Sequence, residues 1–317
     1  MNNAFANHNL IYCGFKYLWT TNQHSVSTLF YYITLPFIYL LSLLPFPLLY
    51  LFSDGVYVLI YYVLGYRKEV VAANLRNAFP NKTDKELHKL RKEFYHYLCD
   101  LFLETFKTLT ISRTAMIKHC GFSPEALSVF EKYAKENKSI ILVMGHIGNW
   151  EWAGNSYTIL CKSQLYVIYH PLRDKHFNQL IINMRTRFGT KLITMRDTFR
   201  EMVSKRSEVN VTAFIADQTP PPEGAYWTNF LNQDTPIFQG TEKIARKLNY
   251  PVVYALVKRV KRGHYLIYAE TLVEEPAKTG EGEISELHTR RLEKDIIAQP
   301  ETWLWSHRRW KHKRPQH

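Results

Sequence analysis

Apolar residues run along this chain in two different rhythms, nearly unbroken from Leu29 to Tyr66 and periodic beyond it, while the opening residues, rich in Asn, His and Ser, show no clear pattern. From Leu29 to Phe52 (LFYYITLPFIYLLSLLPFPLLYLF) no residue is charged, and as a helix these 24 residues would reach about 36 Å, enough to span a bilayer. Pro36, Pro45 and Pro47 work against a straight helix, because each lacks a backbone donor and clashes with the preceding turn. A kinked span and a hairpin-like embedded segment therefore both stay open. The next apolar run, Gly55 to Tyr66, would reach only about 18 Å and reads as interfacial or packed on a soluble body. A cleaved signal peptide fits poorly, since the preceding region carries little positive charge and no small-residue cleavage site follows. The expectation is an uncleaved membrane anchor over 29–66, preceded by an unassigned extension over 1–28 and followed by a folded body over 67–317. The competing reading is a buried helical hairpin, which the dense Tyr, Phe and Leu content disfavours.

Beyond Tyr66 the pattern alternates between helix and strand periods. Thr83-Asp84-Lys85-Glu86 has capping-box spacing, and Leu87, Leu90, Phe94, Tyr97, Leu98, Leu101 and Phe102 follow at helical intervals. Ser123-Pro124-Glu125 places a cap residue before a proline at the first helical position. Ser139–Met144 (SIILVM) is a continuously apolar, β-branched run of the kind buried in parallel sheets. Further strands are predicted at Leu165–Tyr169, Leu192–Thr194, Val209–Ile215, Val252–Lys258 and Tyr265–Glu270. Helical patterns separate several of them, which predicts an α/β body with a mostly parallel sheet flanked by helices.

Charge sharpens this picture. Lys and Arg number 41 against 28 Asp and Glu, a formal +13, yet Lys16 and Asp54 are the only formal charges before Arg67. The chain is an apolar head on a basic body. Tyr66-Arg67-Lys68 at the exit of the apolar region favours a cytoplasmic body, because basic flanks tend to stay inside. Disordered and collagen-like classes are excluded by composition. Cys13, Cys99, Cys120 and Cys161 are scattered singly and read as reduced thiols without chemistry. No glycine-rich phosphate loop is present. The basic clusters Lys258-Arg259/Lys261-Arg262 and Arg308-Arg309/Lys311/Lys313-Arg314 fit anionic lipid head groups, the other partners being an acidic carrier or a phosphorylated substrate; beside a membrane anchor, nucleic acid does not fit.

Chemistry centres on Gly145-His146-Ile147-Gly148-Asn149-Trp150-Glu151, directly after the first strand. A histidine and a glutamate five positions apart can pair as base and orienting carboxylate, but the same spacing recurs at His88/Glu93 and His288/Glu293. Those two pairs fall in helical patterns, where positions five apart point about 140° away from each other, and read as solvated helix faces. His146 instead stands at the C-terminal end of a strand, where open α/β folds place their sites, and two glycines allow a sharp turn that can bring Glu151 under the imidazole. A carboxylate on one ring nitrogen would leave the other free to take a proton from a hydroxyl. A structural histidine capping the helix is the alternative. Asp217 and Gln218, after the strand Val209–Ile215, should reach the same edge.

The segment GHIGNWEW resembles the H-x4-E or H-x4-D motif of glycerolipid-type acyltransferases, and the chain from about Leu40 to Pro315 is similar to the lipid A biosynthesis (late) acyltransferases of Gram-negative bacteria. Four further segments carry the resemblance: Tyr66-Arg67-Lys68 through Asn74-Leu75 to Phe79-Pro80; Tyr169-His170-Pro171-Leu172 leading to Arg185-Thr186-Arg187-Phe188-Gly189; Ala216-Asp217-Gln218; and Trp303-Leu304-Trp305-Ser306-His307-Arg308-Arg309-Trp310-Lys311. His170 stands where many relatives carry Arg. The resemblance implies a glycerolipid-acyltransferase-like fold and transfer of a fatty acyl chain, usually from acyl carrier protein, to a hydroxyl of a lipid A precursor. It implies no cofactor or metal, and an enzyme at the inner membrane with its catalytic domain on the cytoplasmic side. Residue by residue, it makes His146 the general base, Glu151 its partner and Arg185 an oxyanion stabiliser or phosphate ligand, with Arg187, Asp217 and Gln218 as substrate-binding residues. Other acceptors, such as a lysophospholipid, aminolipid or glycolipid, and a non-catalytic protein that binds anionic lipid, are the alternatives.

Overall fold

A computed structural model describes residues 28–315. The extension over 1–27, with Cys13, lies outside the described residues. The apolar head forms two helices, α1 (Thr28–Leu43) and α2 (Phe46–Val58), the second continuing as a π-helical turn over Leu59–Val63. Pro47 falls in the first turn of α2, where a missing N–H leaves no bond unmade, so the single apolar run splits at Leu44-Pro45. The second apolar run is no separate element: Gly55 lies inside α2, and Tyr57 and Tyr61 are buried against the body.

Then come α3 (Lys68–Ala78), α4 (Asp84–Lys107) and α5 (Arg113–His119). Both faces of the predicted capping box at Thr83 and Glu86 are formed at the start of α4. The short strand β1 (Cys120–Phe122) precedes α6 (Pro124–Lys135), which Ser123 caps as its sequence predicts. The α/β succession follows: β2 (Ile140–Met144), α7 (Trp150–Leu160), β3 (Gln164–Tyr169), α8 (Lys175–Thr186), β4 (Lys191–Thr194), α9 (Thr198–Ser204) and β5 (Asn210–Ile215). A hairpin of β6 (Tyr226–Phe230) and β7 (Gln233–Ile237) then leads through α10 (Gly240–Leu248) to β8 (Val252–Lys261), β9 (His264–Val273) and α11 (Glu283–Ala298).

Seven strands form one sheet in the order β1-β9-β8-β2-β5-β3-β4. Strands β8, β2, β5, β3 and β4 are mutually parallel; β9 runs against β8, and β1 pairs parallel with β9. The sequence predicts β2, β3, β4, β5, β8 and β9 to within a few residues and misses β1, β6 and β7. Strands β6 and β7 are joined through Leu231 and Asn232, both at positive φ, so the turn lacks the glycine that normally signals it.

Alternation along β2 separates two cores. Ile141 and Val143 face a cluster built with α3, α4, α11 and the C-terminal tryptophans, while Ile140, Leu142 and Met144 face one built with α5, α6 and α7. Helices on both faces keep the sheet dry, which is why β2 reads as an unbroken apolar run. The register between β2 and β5 sets Met144 beside Ile215. Two residues further on, the two strands deliver His146 and Asp217 to one point of the sheet's C-terminal edge.

Candidate active site

The loop after β2 has a shape that only its glycines permit. A Cβ on Gly145 would lie 2.5 Å from the Leu292 side chain and 3.2 Å from an Asp217 oxygen. Gly148 sits at φ +61°, and a Cβ there would come within 1.9 Å of the Val257 carbonyl. Tyr97 Oη donates to the Gly148 carbonyl (2.6 Å), and the Gly148 N–H donates to the Thr302 carbonyl (3.1 Å), so the loop is held from two sides. Asn149 then caps α7, its Oδ1 accepting the Trp152 N–H, and its Nδ2 donates to buried Glu104.

His146 and Asp217 make two contacts. The Asp217 carboxylate accepts the His146 backbone N–H at 2.7 Å and faces Nδ1 at 2.5 Å, while Trp303 Nε1 donates to the same carboxylate at 2.8 Å. Burial alone would push the Asp217 carboxyl upward, but the His146 charge and these hydrogen bonds outweigh it and hold the group well below the usual carboxylate range. An ionised carboxylate only accepts, so the Nδ1 proton is fixed on the ring and Nε2 is the open acceptor. Nε2 faces the cleft, 3.4 Å from the Gln218 amide nitrogen, and the Trp150 ring meets the imidazole edge-on at 5.0 Å.

Glu151 is engaged elsewhere, and this corrects the sequence expectation. Both its oxygens bind Arg185 of α8, Nε at 2.8 Å and Nη2 at 2.5 Å. Glu151 lies in the first turn of α7, on the side that faces α8, whereas the register of β2 and β5 brings Asp217 under the ring. Burial raises the Glu151 carboxyl, and the guanidinium reverses this to a net lowering. Arg187, expected to bind substrate, points away: its Nη1 donates to the Thr108 and Ile111 carbonyls at 2.5 and 2.6 Å, tying α8 to the end of α4. Asp217, expected on the acceptor side, is 5% exposed beneath His146. Gln218, Arg185 and Glu151 do share one cleft with His146.

That cleft encloses about 450 Å³ and is also lined by Asn155, Tyr169 and His170. Trp150, Gly154, Val167 and Ile215 line both the cleft and a narrow, almost wholly apolar cavity of about 40 Å³ that runs between the sheet and α7 toward Phe122, Phe130 and Tyr157. The two comparison pairs lie as expected on single helices, His88/Glu93 on α4 and His288/Glu293 on α11. His288, however, is buried rather than solvated. The C-terminal tryptophans are structural too, Trp303 and Trp305 lying inside the core with Arg309. Sequence reasoning missed Trp303 as a support of Asp217; the isolated bridge between Ile147 and Trp303, which closes the C-terminal segment over the motif, has no local signal.

A sheet-edge histidine poised on a carboxylate, beside a cleft with an apolar extension, has the form of an α/β acyl-transfer enzyme. The comparisons narrow this class. Residues 20–312 match the family described as bacterial lipid A biosynthesis acyltransferase, and the chain belongs to that family; it is an acyltransferase. It is 24% identical over 273 residues to the lipid A biosynthesis palmitoleoyltransferase of Escherichia coli (strain K12), covering 84% of this chain and 86% of that protein. The same figures hold for a lipid A biosynthesis acyltransferase of Shigella flexneri.

Proposed function

We propose that this protein transfers a fatty acyl chain from an acyl thioester on acyl carrier protein to a hydroxyl of a lipid A precursor, at the cytoplasmic face of the inner membrane. The observation that carries this reading is the His146–Asp217 contact, which leaves Nε2 as the one open acceptor of the ring in a cleft that also holds Arg185. The acceptor hydroxyl takes the place of the Gln218 amide near Nε2 and gives up its proton to it. The resulting alkoxide attacks the thioester carbonyl, and the ester C–O bond forms. As the tetrahedral intermediate collapses, the C–S bond breaks and the leaving thiolate takes the proton back from the imidazolium. The Asp217 charge stabilises that imidazolium while it exists.

Arg185 supports the developing oxyanion. Its pairing with Glu151 occupies Nε and Nη2, leaving Nη1 to meet negative charge in the cleft. Glu151 is then the residue that aims Arg185, and the acyl tail follows the apolar cavity past Gly154, its aromatic walls parting to admit it. No metal or cofactor enters these steps, since the thioester is already activated. The basic surface favours both an acidic carrier protein and the phosphates of the acceptor.

Mass spectrometry of lipid A and total phospholipid, in cells lacking the gene and complemented with wild type or His146→Ala, tests this. Lipid A lighter by one acyl chain, restored by wild type and not by His146→Ala, is the expected result. Intact lipid A with an acylated species missing from another lipid class would overturn the acceptor, and restoration by His146→Ala would overturn the mechanism.

A further inference from the structure

Among the described residues one helix is long and apolar enough to cross a membrane, the 18 residues Phe46–Val63 of α2 and its π-helical turn. A spanning helix must offer its whole circumference to lipid, or to other spanning segments, through about 30 Å of hydrocarbon. This one does not. Tyr50 Oη donates to Glu104 at 2.8 Å, Ser53 Oγ donates to Asp100 at 2.7 Å, Asp54 pairs with Arg262 at 2.6 Å, and the Tyr57 ring stacks on His96 at 3.5 Å. Arg91 Nε donates to Tyr61 Oη at 3.3 Å. Along most of its length, one face of α2 is bolted to charged groups of α4 and the β8–β9 turn, which belong to the aqueous body.

Helix α1 is held in the same way. Its inner positions Tyr31, Leu35 and Ile38 pack on Leu180 and Met184 of α8 and on Phe106 of α4. At the bend between α1 and α2, Lys107 Nζ donates to the Ser42 and Leu44 carbonyls at 2.8 and 2.7 Å, and Thr110 Oγ1 donates to the Ser42 carbonyl. A buried lysine thus satisfies the carbonyls that end α1, at the point where a spanning chain would have to be deepest in lipid or past it.

The opposite faces are bare. Leu29, Ile33, Phe37 and Leu40 on α1, and Leu51 and Phe52 on α2, are all exposed. At the exit of α2 the lipid-compatible surface turns basic and aromatic: Lys68 Nζ and Lys92 Nζ lie 5.9 and 6.0 Å from the ring of exposed Tyr62. Aromatic rings with ammonium groups beside them are the side chains that settle at a head-group layer carrying negative charge.

We infer that residues 28–66 form a hairpin lying in the plane of the membrane, its outer faces sunk into one anionic phospholipid leaflet without crossing to the other. The start of α1 and the body then lie on the same side. The hairpin also brings the leaflet to the cleft, because α8 carries Met184 against α1 and, one residue on, Arg185 in the cleft. A lipid acceptor reaches His146 sideways from the leaflet it already occupies. This inference needs membrane attachment but not the chemistry proposed above.

The test is protease accessibility of the full-length protein carrying one epitope tag before Met1 and another after His317, in intact spheroplasts and in inverted inner-membrane vesicles, with retained thermal stability of the tagged protein as the control for folding. Both tags should be lost together in inverted vesicles and both survive in spheroplasts. Digestion of the amino-terminal tag in spheroplasts while the carboxyl-terminal tag survives would mean that the chain crosses, and would overturn the inference. Neither outcome depends on acyl transfer, so this result and that of the lipid analysis fail independently.

Discussion

The segment Gly145–Glu151 contributes to two acid–base pairs a few residues apart, and their surroundings differ in nearly every respect. On its inner side, His146 meets Asp217, 2% exposed in its side chain, with Trp303 completing the carboxylate's contacts. On its outer side, Glu151 meets Arg185 in the wall of an open cleft, the guanidinium 27% exposed. The inner acid is fixed by sheet register and core packing, and it fixes a tautomer. The outer acid is fixed by a neighbouring helix, and it aims a cation at solvent. Two carboxylates close to one histidine are therefore given separate tasks by what lies behind them, not by their distance from it along the chain.

If that division holds, substitutions on the inner side should act through the base. Asp217→Asn keeps the shape but accepts poorly from Nδ1 and offers no charge to the imidazolium, so kcat is expected to fall by about 10³–10⁴, measured by single-turnover acyl transfer. On the outer side, Arg185→Gln is expected to lower kcat by about 10²–10³, the effect of losing one oxyanion donor. Glu151→Gln should lose less, and combining it with Arg185→Gln should add little, because the two residues act as one unit. Combining Glu151→Gln with Asp217→Asn should instead multiply their effects. Additivity in the first combination or its absence in the second would erase the distinction.

Acid stability probes the inner side in another way. His288 is buried against Tyr254, close enough to feel Asp217, and burial lowers its pKa to about 4. Between that value and its ordinary one of about 6.5, the unfolded chain binds the proton that the folded chain refuses. This contribution is complete above about pH 7 and is lost as pH falls toward 4, amounting to roughly 3 kcal/mol. Denaturant titrations at pH 7 and pH 4.5 should show that loss in wild type and a flatter profile in His288→Gln. The smallest effect belongs to the passage between the cleft and the apolar cavity. A Cβ at Gly154 would meet only ordinary contacts, at 3.7 and 4.0 Å, so Gly154→Ala should fold and narrow the passage. It should shift the ratio of kcat/KM toward shorter acyl donors by about tenfold, read by competition between two chain lengths.

Much of this architecture is legible in the sequence. Apolar β-branched runs such as IILVM mark buried parallel strands, and Thr83 and Ser123 mark helix starts by local hydrogen bonding that needs no distant partner. The motif's glycines announce a turn, and the turn is there. The partner of His146 is not legible, because it depends on β5 lying beside β2 in a register that ends both strands together. Arg187 misleads for a related reason: Arg185 in the last turn of α8 and Arg187 at its C-cap look alike in sequence, yet they point to nearly opposite sides, and Arg187 is taken up by the carbonyls at the end of α4. The apolar head shows its length and composition but not its fate, which is set by charges on α4 and the β8–β9 turn far along the chain.

Asp217, and not Glu151, is the acid that holds His146, the base of the proposed mechanism. The most direct measurement is NMR of the Nδ1-bound proton of His146 in protein labelled with ¹⁵N-histidine, assigned by its absence in His146→Ala and compared among wild type, Asp217→Asn and Glu151→Gln. A strongly downfield Nδ1–H signal should be present in wild type and Glu151→Gln and absent in Asp217→Asn. Its survival in Asp217→Asn with loss in Glu151→Gln would make Glu151 the partner of His146 instead.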